Sequence, residues 1–258
     1  MGMLDTIQSG REAKPPRIMI YGSEGVGKST FAASAPGTIF IQTEDGLGEI
    51  DCSKFPLAHS LADVFSGLAA LRDEPHDFQC VAVDSVDWLE RLIFDEVCRE
   101  FGARSIEKAD GGYGRGYVHA LTHWRKAVSL LNELRDRRGM MTILVAHAKV
   151  ERFEDPENAA YDRYTPRLHK HAASLLSEWV DAVLFASKKF RVTKANAGFS
   201  GERGIAAPIG AEGGERILRT VGSPACIAKN RFGLPREIAL SWTAFIDAYG
   251  KANAADAT

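Results

Sequence analysis

"RIMIYGSEGVGKST", residues 17–30, is the stretch on which the fold turns. Arg17 to Tyr21 is a short apolar run of strand character, a glycine-rich turn follows, and helical sequence begins at once. Gly22 to Ser29 fits G-x-x-x-x-G-K-[ST] in full, between a strand and a helix as that pattern requires. The spacing has a mechanical reason. Glycines let the backbone wrap a phosphate chain with its N–H groups pointing inward, and the start of the helix adds a favourable dipole. Gly22, Ser23, Glu24, Gly25, Val26, Gly27, Lys28, Ser29 and Thr30 are therefore the candidate nucleotide-binding residues. Lys28 is placed to bridge the β- and γ-phosphates and the Ser29 hydroxyl to ligate Mg²⁺, so ATP and Mg²⁺ are the implied ligands.

Outward from this loop, strand and helix signals alternate. "TIFIQT" (38–43) reads as a second strand and ends in the acidic pair Glu44-Asp45. Apolar residues recur at helical spacing from Leu57 to Leu71. "CVAVD" (80–84) is a continuous apolar run ending in Asp, the pattern of a parallel strand buried on both faces. Residues 86–101 read as helix, 102–117 as a loop closing in "GGYGRGY", 118–138 as a long amphipathic helix and "MTILVAH" (141–147) as another buried strand. A polar segment (148–166), a helix near 168–179 and a strand near 181–187 follow. Glycine-rich sequence (198–214) then leads to strand candidates "RILRTV" and "ACIAK", a short helix and an Ala-rich tail. The alternation predicts one α/β domain over residues 17–250, with a polar leader (1–16) and a flexible tail (251–258). Its sheet should be mainly parallel, with helices on both faces.

Parallel strands end on one edge, where ligands bind. Asp84 ends the most apolar strand, where a carboxylate holds Mg²⁺; a strand-terminal Asp can also cap the next helix, but the phosphate loop upstream favours the metal role. Ser85 follows where many ATPases carry a catalytic Glu. A hydrolase still needs a carboxylate to orient the attacking water, and Glu44 is the nearest strand-end candidate, with Asp45 replacing it if the register shifts by one. His147 ends the fourth strand and is a candidate sensor of the γ-phosphate.

Composition narrows the class. With 45% hydrophobic and 26% charged residues and a formal net charge of −2, there is no global basic field, so any nucleic-acid contact must be a local patch. Cys52, Cys80, Cys98 and Cys226 show no CxxC spacing and read as reduced thiols, which points to the cytoplasm. No run is long enough to span a membrane and no secretory leader is visible, so no membrane partner is expected. His169-Lys170-His171 sits at i, i+2, which does not align two imidazoles on a helix; it reads as a solvated helix start.

The element order resembles the RecA-type ATPase core: phosphate loop, Glu-ended strand, "VAVDS", glycine-rich loop, strand ending in a polar sensor, second loop, and a late strand with paired cations in "AKNR". Within that group the chain is most similar to the compact phage-encoded RecA-like annealing and recombinase ATPases, the "Sak four" group, across about residues 17–240. The resemblance implies ATP held between subunits, with Lys229 and Arg231 completing a neighbour's catalytic site in trans. It implies a homo-oligomer, ring or filament. Because little sequence precedes the first strand, rings, short arrays or assembly on DNA are expected over self-driven filaments. It also implies two DNA-facing loops, at 103–117 with Tyr113, Arg115 and Tyr117, and at 148–166 with Lys149 and Arg152, which would bind single-stranded DNA by phosphate pairing and base stacking. A single-strand-binding protein is a further candidate partner.

The function implied is ATP-dependent single-stranded DNA binding in recombination or strand annealing, with DNA-stimulated hydrolysis. Two other readings stay open: an ATP-binding assembly or regulatory module acting on a protein partner, and a small-molecule phosphotransferase.

Overall fold

Side-chain alternation decides which residues meet which helices. In β1 (Arg17–Gly22), Met19 and Tyr21 face one side and Ile18 and Ile20 the other, all fully buried. A strand apolar on both faces is stable only between two layers of helix, and that is its place here. The computed structural model describes residues 2–7, 9–10, 14–196, 202–208 and 214–255.

After β1 come α1 (Lys28–Ala33), β2 (Thr38–Gln42), β3 (Ser53–Lys54), α2 (Leu61–Asp73), β4 (Cys80–Asp84), α3 (Val86–Glu100), α4 (Arg115–Arg138) and β5 (Met141–Phe153). The chain continues through β6 (Tyr161–Pro166), α5 (Lys170–Trp179), β7 (Ala182–Lys188), β8 (Phe190–Asn196) and β9 (Glu202–Pro208). Last come β10 (Arg216–Arg219), β11 (Lys229–Asn230), β12 (Glu237–Ala239) and α6 (Trp242–Ala255). The main sheet runs β12-β10-β7-β1-β5-β4-β2-β3, with β11 also on β7 and β6 on β5. From β7 through β3 every pairing is parallel. The pairings of β10, β11 and β12 are antiparallel. Helices α2 to α5 pack on the Met19–Tyr21 face, while α1 and α6 cover the other through Phe31, Trp242 and Phe245. The mainly parallel α/β sheet with helices on both faces is thus the observed architecture.

Local chemistry sets several boundaries. Helix α2 begins at Leu61, later than the apolar periodicity, because Ser60 caps it. The Ser60 hydroxyl accepts from the Asp63 amide (3.2 Å) and the Asp63 carboxylate from the Ser60 amide (2.9 Å). Gly22 is required where β1 leaves the sheet, since a β-carbon there would collide with the Ala186 carbonyl of β7.

Four expectations change. Segment 148–166 is a β-hairpin: β5 continues past the parallel sheet and pairs with β6 from Ala148↔Pro166 to Phe153↔Tyr161. Both strands there are mostly exposed or half-buried and lack the apolar content by which a strand is recognised from sequence. The 102–117 loop is shorter than expected, because α4 starts at Arg115. "ACIAK" contributes only Lys229 to a strand, since Ser223 and Cys226 close a tight turn on each other before it. Helix α6 runs to Ala255, into the stretch read as a flexible tail, because Phe245 and Tyr249 carry its apolar face onto the core.

Residues 256–258 of that tail, residues 1, 8 and 11–13 of the leader, and 198–201 and 209–213 of the glycine-rich stretch lie outside the described residues. The described part of the glycine-rich stretch is β9, which pairs antiparallel with β8. Among the described residues no helix is long and apolar enough to cross a membrane.

Candidate nucleotide site

The loop after β1 opens onto a cavity of about 440 Å³ lined by Glu24, Gly25, Gly27, Lys28, Ser29, Thr30, Glu44, Gly46, Ile50, Asp84, His147 and Arg216. Gly25 (φ 68°) and Gly27 (φ 109°) take the left-handed backbone that the wrap needs. Lys28 is nearly buried and its ammonium donates to the carbonyls of Gly22 (3.1 Å) and Ser23 (2.8 Å). Burial lowers its pKa, and the charges of Asp84, Asp87, Glu44 and Glu24 oppose that shift. Helix α1 has only six residues, so the loop amides and Lys28 carry the anion-binding capacity more than any helix dipole does.

The strand ends then deliver the acids. Asp84 accepts a hydrogen bond from Ser29; burial raises its pKa and Glu44 adds to that, while Ser29, Lys28 and His147 work against it. Among the described residues no cluster of three or more His, Cys, Asp or Glu could hold a metal by itself. One carboxylate plus one hydroxyl beside a phosphate loop nevertheless fits Mg²⁺, which keeps waters and shares its shell with substrate phosphates.

Glu44 lies where β2 ends, drawn against β4 by two bonds: the Thr43 amide to the Asp84 carbonyl (2.9 Å) and the Thr43 hydroxyl to the Ser85 carbonyl (2.7 Å). The fully buried Ser85, joined to Asp84 by a cis peptide, donates its hydroxyl to Glu44 Oε2 (3.0 Å). Ser85 therefore holds a carboxylate close to the position where many ATPases carry one on the residue after the strand-end Asp.

His147 is positioned by Asp87, which the sequence reading did not single out. Asp87 accepts from the His147 amide (3.0 Å) and lies 3.0 Å from His147 Nδ1. Arg167 closes on the same carboxylate through Nε (3.1 Å) and Nη2 (2.8 Å) and reaches Glu24 of the phosphate loop at 3.7 Å. Burial alone would push the Asp87 pKa up; the bonds from His147 and Arg167 win and hold it far below the usual carboxylate range. Asp87 sits three residues past Asp84, so an Asp in the first turn of a helix was the available signal, and it reads equally as an ordinary helix-start acid. Arg216, contributed by β10 from the far side of the sheet, was also missed.

The profile of a family described as an AAA domain, AAA_24, matches residues 14–232, most of the chain. The chain belongs to this AAA-domain family. It is also similar to the SPbeta prophage-derived uncharacterized protein YorG of Bacillus subtilis (strain 168), 24% identical over 188 residues. That match covers 71% of this chain and 54% of YorG, so the chain spans about half the length of this curated relative.

The AAA domain brings the phosphate-loop candidates together with Glu44, Asp84 and His147 around one cavity and leaves Lys229, Arg231 and the two DNA-loop candidate sets out of its lining. Lys229 and Arg231 follow the start of β7, at the edge of the sheet opposite the phosphate loop. The Lys229 ammonium donates to the carbonyls of Ser177 (2.7 Å), Glu178 (2.9 Å) and Val180 (2.7 Å), where α5 ends. It is a helix lock in its own subunit and has no free donor to offer a neighbour. Arg231 remains over half exposed, 3.7 Å from Asp181.

Of the first-loop residues, Tyr113 is exposed at a left-handed φ of 53° and Arg115 is exposed in the first turn of α4. Tyr117 turns inward and stacks on His169 at 4.0 Å, with Phe94 at its edge. His169 is therefore not a solvated helix start: its amide donates to Glu90 (2.8 Å), whose burial pushes its pKa up to about 7. In the hairpin, Lys149 donates to the Leu168 carbonyl (3.0 Å), and Arg152 lies 3.8 Å from both Glu154 and Asp162.

Proposed function

We propose that this AAA domain is a Mg²⁺-dependent ATPase whose turnover serves single-stranded DNA. The observation that carries the hydrolase reading is Glu44: a carboxylate held by the buried Ser85 at the rim of a cavity that also contains Lys28, Ser29 and Asp84. The loop amides and Lys28 bind and orient the phosphate chain. Ser29 and Asp84 would hold Mg²⁺, which withdraws charge from the β- and γ-phosphates. Glu44 orients a water and takes its proton as the new O–P bond forms and the bond to the β-phosphate oxygen breaks, leaving ADP and inorganic phosphate. His147, held by Asp87, faces the same cavity and would register the γ-phosphate.

The DNA part rests on Tyr113 and Arg115, an exposed aromatic face and an exposed cation beside a run of glycines. Assembly in a ring or short array, with Arg231 reaching a neighbour, belongs to the same proposal. A protein partner is favoured by one observation: Lys149 and Arg152 of the hairpin are already engaged locally, while Val150 and Tyr164, directly opposite each other, are 59% and 44% exposed.

The test is steady-state ATP turnover with and without single-stranded DNA, for wild type, Glu44→Gln and the double variant Tyr113→Ala/Arg115→Ala. Turnover that rises with DNA, vanishes in the first variant and loses only its DNA response in the second is the expected result. Turnover indifferent to DNA in wild type would transfer the role to a protein partner.

A further inference from the structure

The strand-end acids of the cavity, Glu44 and Asp84, come from one flank. In the strand order β10-β7-β1-β5-β4-β2, the phosphate loop leaves β1, and His147, Asp84 and Glu44 follow on β5, β4 and β2 to one side. Arg216 comes alone from the other side, as the first residue of β10. Its backbone is fixed: it is in register with Lys188 of β7, and its carbonyl accepts from the Leu240 amide (3.0 Å). Its guanidinium lies over the loop, with Nη1 3.5 Å from the Val26 carbonyl. That distance is at the outer limit of a hydrogen bond, so the contact does not explain why the group is there. No carboxylate among the described residues pairs with it, although Arg17, Arg72, Arg99, Arg152, Arg167 and Arg231 all have acidic neighbours.

Two further observations point to a ligand. A β-carbon at Gly27 would come within 2.9 Å of Arg216 Nη1, so the tip of this guanidinium rests directly against the left-handed turn of the loop. The lining also contains three carboxylates, Glu24, Glu44 and Asp84, against the two fixed cations Lys28 and Arg216. A polyanion entering a wall with more acids than cations needs both cations, and a planar guanidinium can bind two phosphate oxygens at once.

We propose that Arg216 is a nucleotide-binding residue acting in cis: it clamps the phosphate chain from the flank opposite Asp84, over Val26 and Gly27. The inference rests on the nucleotide reading above and deepens it. Lying over the second half of the loop and away from Glu44, Arg216 contacts phosphates common to ADP and ATP. Each subunit thus supplies an arginine of its own to the phosphate chain.

The experiment titrates fluorescent ADP and ATP analogues, with Mg²⁺, into wild type, Arg216→Ala, Arg216→Lys and Lys28→Ala. Arg216→Ala should weaken both nucleotides by about tenfold or more, as loss of a bidentate charged contact does, and Arg216→Lys should fall between. Because Arg216 is exposed, the nucleotide-free melting temperatures of both Arg216 variants should match wild type. Mixing Arg216→Ala with Lys28→Ala should restore nothing, since no single subunit then has both cations. Wild-type affinity in Arg216→Ala beside lost affinity in Lys28→Ala would overturn the proposal and leave the nucleotide reading intact. Restoration on mixing would overturn the cis assignment. A wild type that binds neither nucleotide would remove the nucleotide reading itself, and this inference with it.

Discussion

The two edges of the same sheet use the same residue types in opposite ways. At the loop edge Lys28, Glu44, Asp84 and Arg216 line a cavity large enough for a phosphate chain. At the other edge Asp181 is closed on by Arg17 at 2.7 Å, with Arg135 and Arg231 at 3.6 and 3.7 Å, while Lys229 spends all three ammonium hydrogens on carbonyls. Charge by itself does not mark a site; what marks it is hydrogen-bonding capacity that the chain leaves open. By that criterion Lys229 of "AKNR" belongs to the architecture, although its place in the sequence suggests chemistry, while the exposed Arg231 keeps donors open.

The largest expected effect breaks the loop edge. Glu44→Gln should lower turnover roughly 10²–10⁴-fold, the usual contribution of a positioned base, with nucleotide affinity kept; single-turnover kinetics read the two separately. Next comes Asp87→Ala, which strands His147 and Arg167 around a buried gap and should cost about 3–5 kcal/mol by denaturant unfolding. Because the Asp87 pKa is depressed, its contribution is fully present above its ordinary 3.8 and is lost only as pH falls through the lower folded value. Wild type and variant should therefore converge only in strong acid.

Lys229→Ala sharpens the contrast between the edges. It should cost about 1–2 kcal/mol by uncapping the end of α5, visible as a lower melting temperature, while turnover per subunit at low temperature stays unchanged. A variant that keeps its melting temperature but loses turnover would return Lys229 to catalysis.

The smallest effect concerns Glu90. Its carboxyl keeps a proton in the fold that the unfolded chain gives up, so stability declines as pH rises from 4.5 to about 7. Glu90→Gln should flatten that decline, measured as unfolding free energy across the window.

Where the sequence could be read, the reason is periodicity or a local pattern. The phosphate loop is contiguous, and Glu44, Asp84 and His147 reach one edge simply because parallel strands end there. Asp87, Arg167 and Arg216 could not be found that way. Asp87 and Arg167 meet across 80 positions, and Arg216 crosses to the loop from a strand whose order in the sheet no local pattern encodes. Lys229 was misread for the same reason: its partners are three main-chain oxygens, which have no residue type to recognise. Tyr117 reads from sequence as a loop aromatic, but α4 begins at Arg115 and turns that ring toward His169.

One consequence of the long β5 concerns mechanics. The strand is continuous from Met141 to Phe153, so the cavity-facing His147 and the hairpin tip belong to one stiff rod. Beyond His147 it extends about 20 Å, at roughly 3.3 Å per residue, with β6 bracing it. A few degrees of tilt at His147 becomes a displacement of an ångström or more at Phe153. The hairpin therefore has the geometry of a lever arm whose short end is the cavity wall.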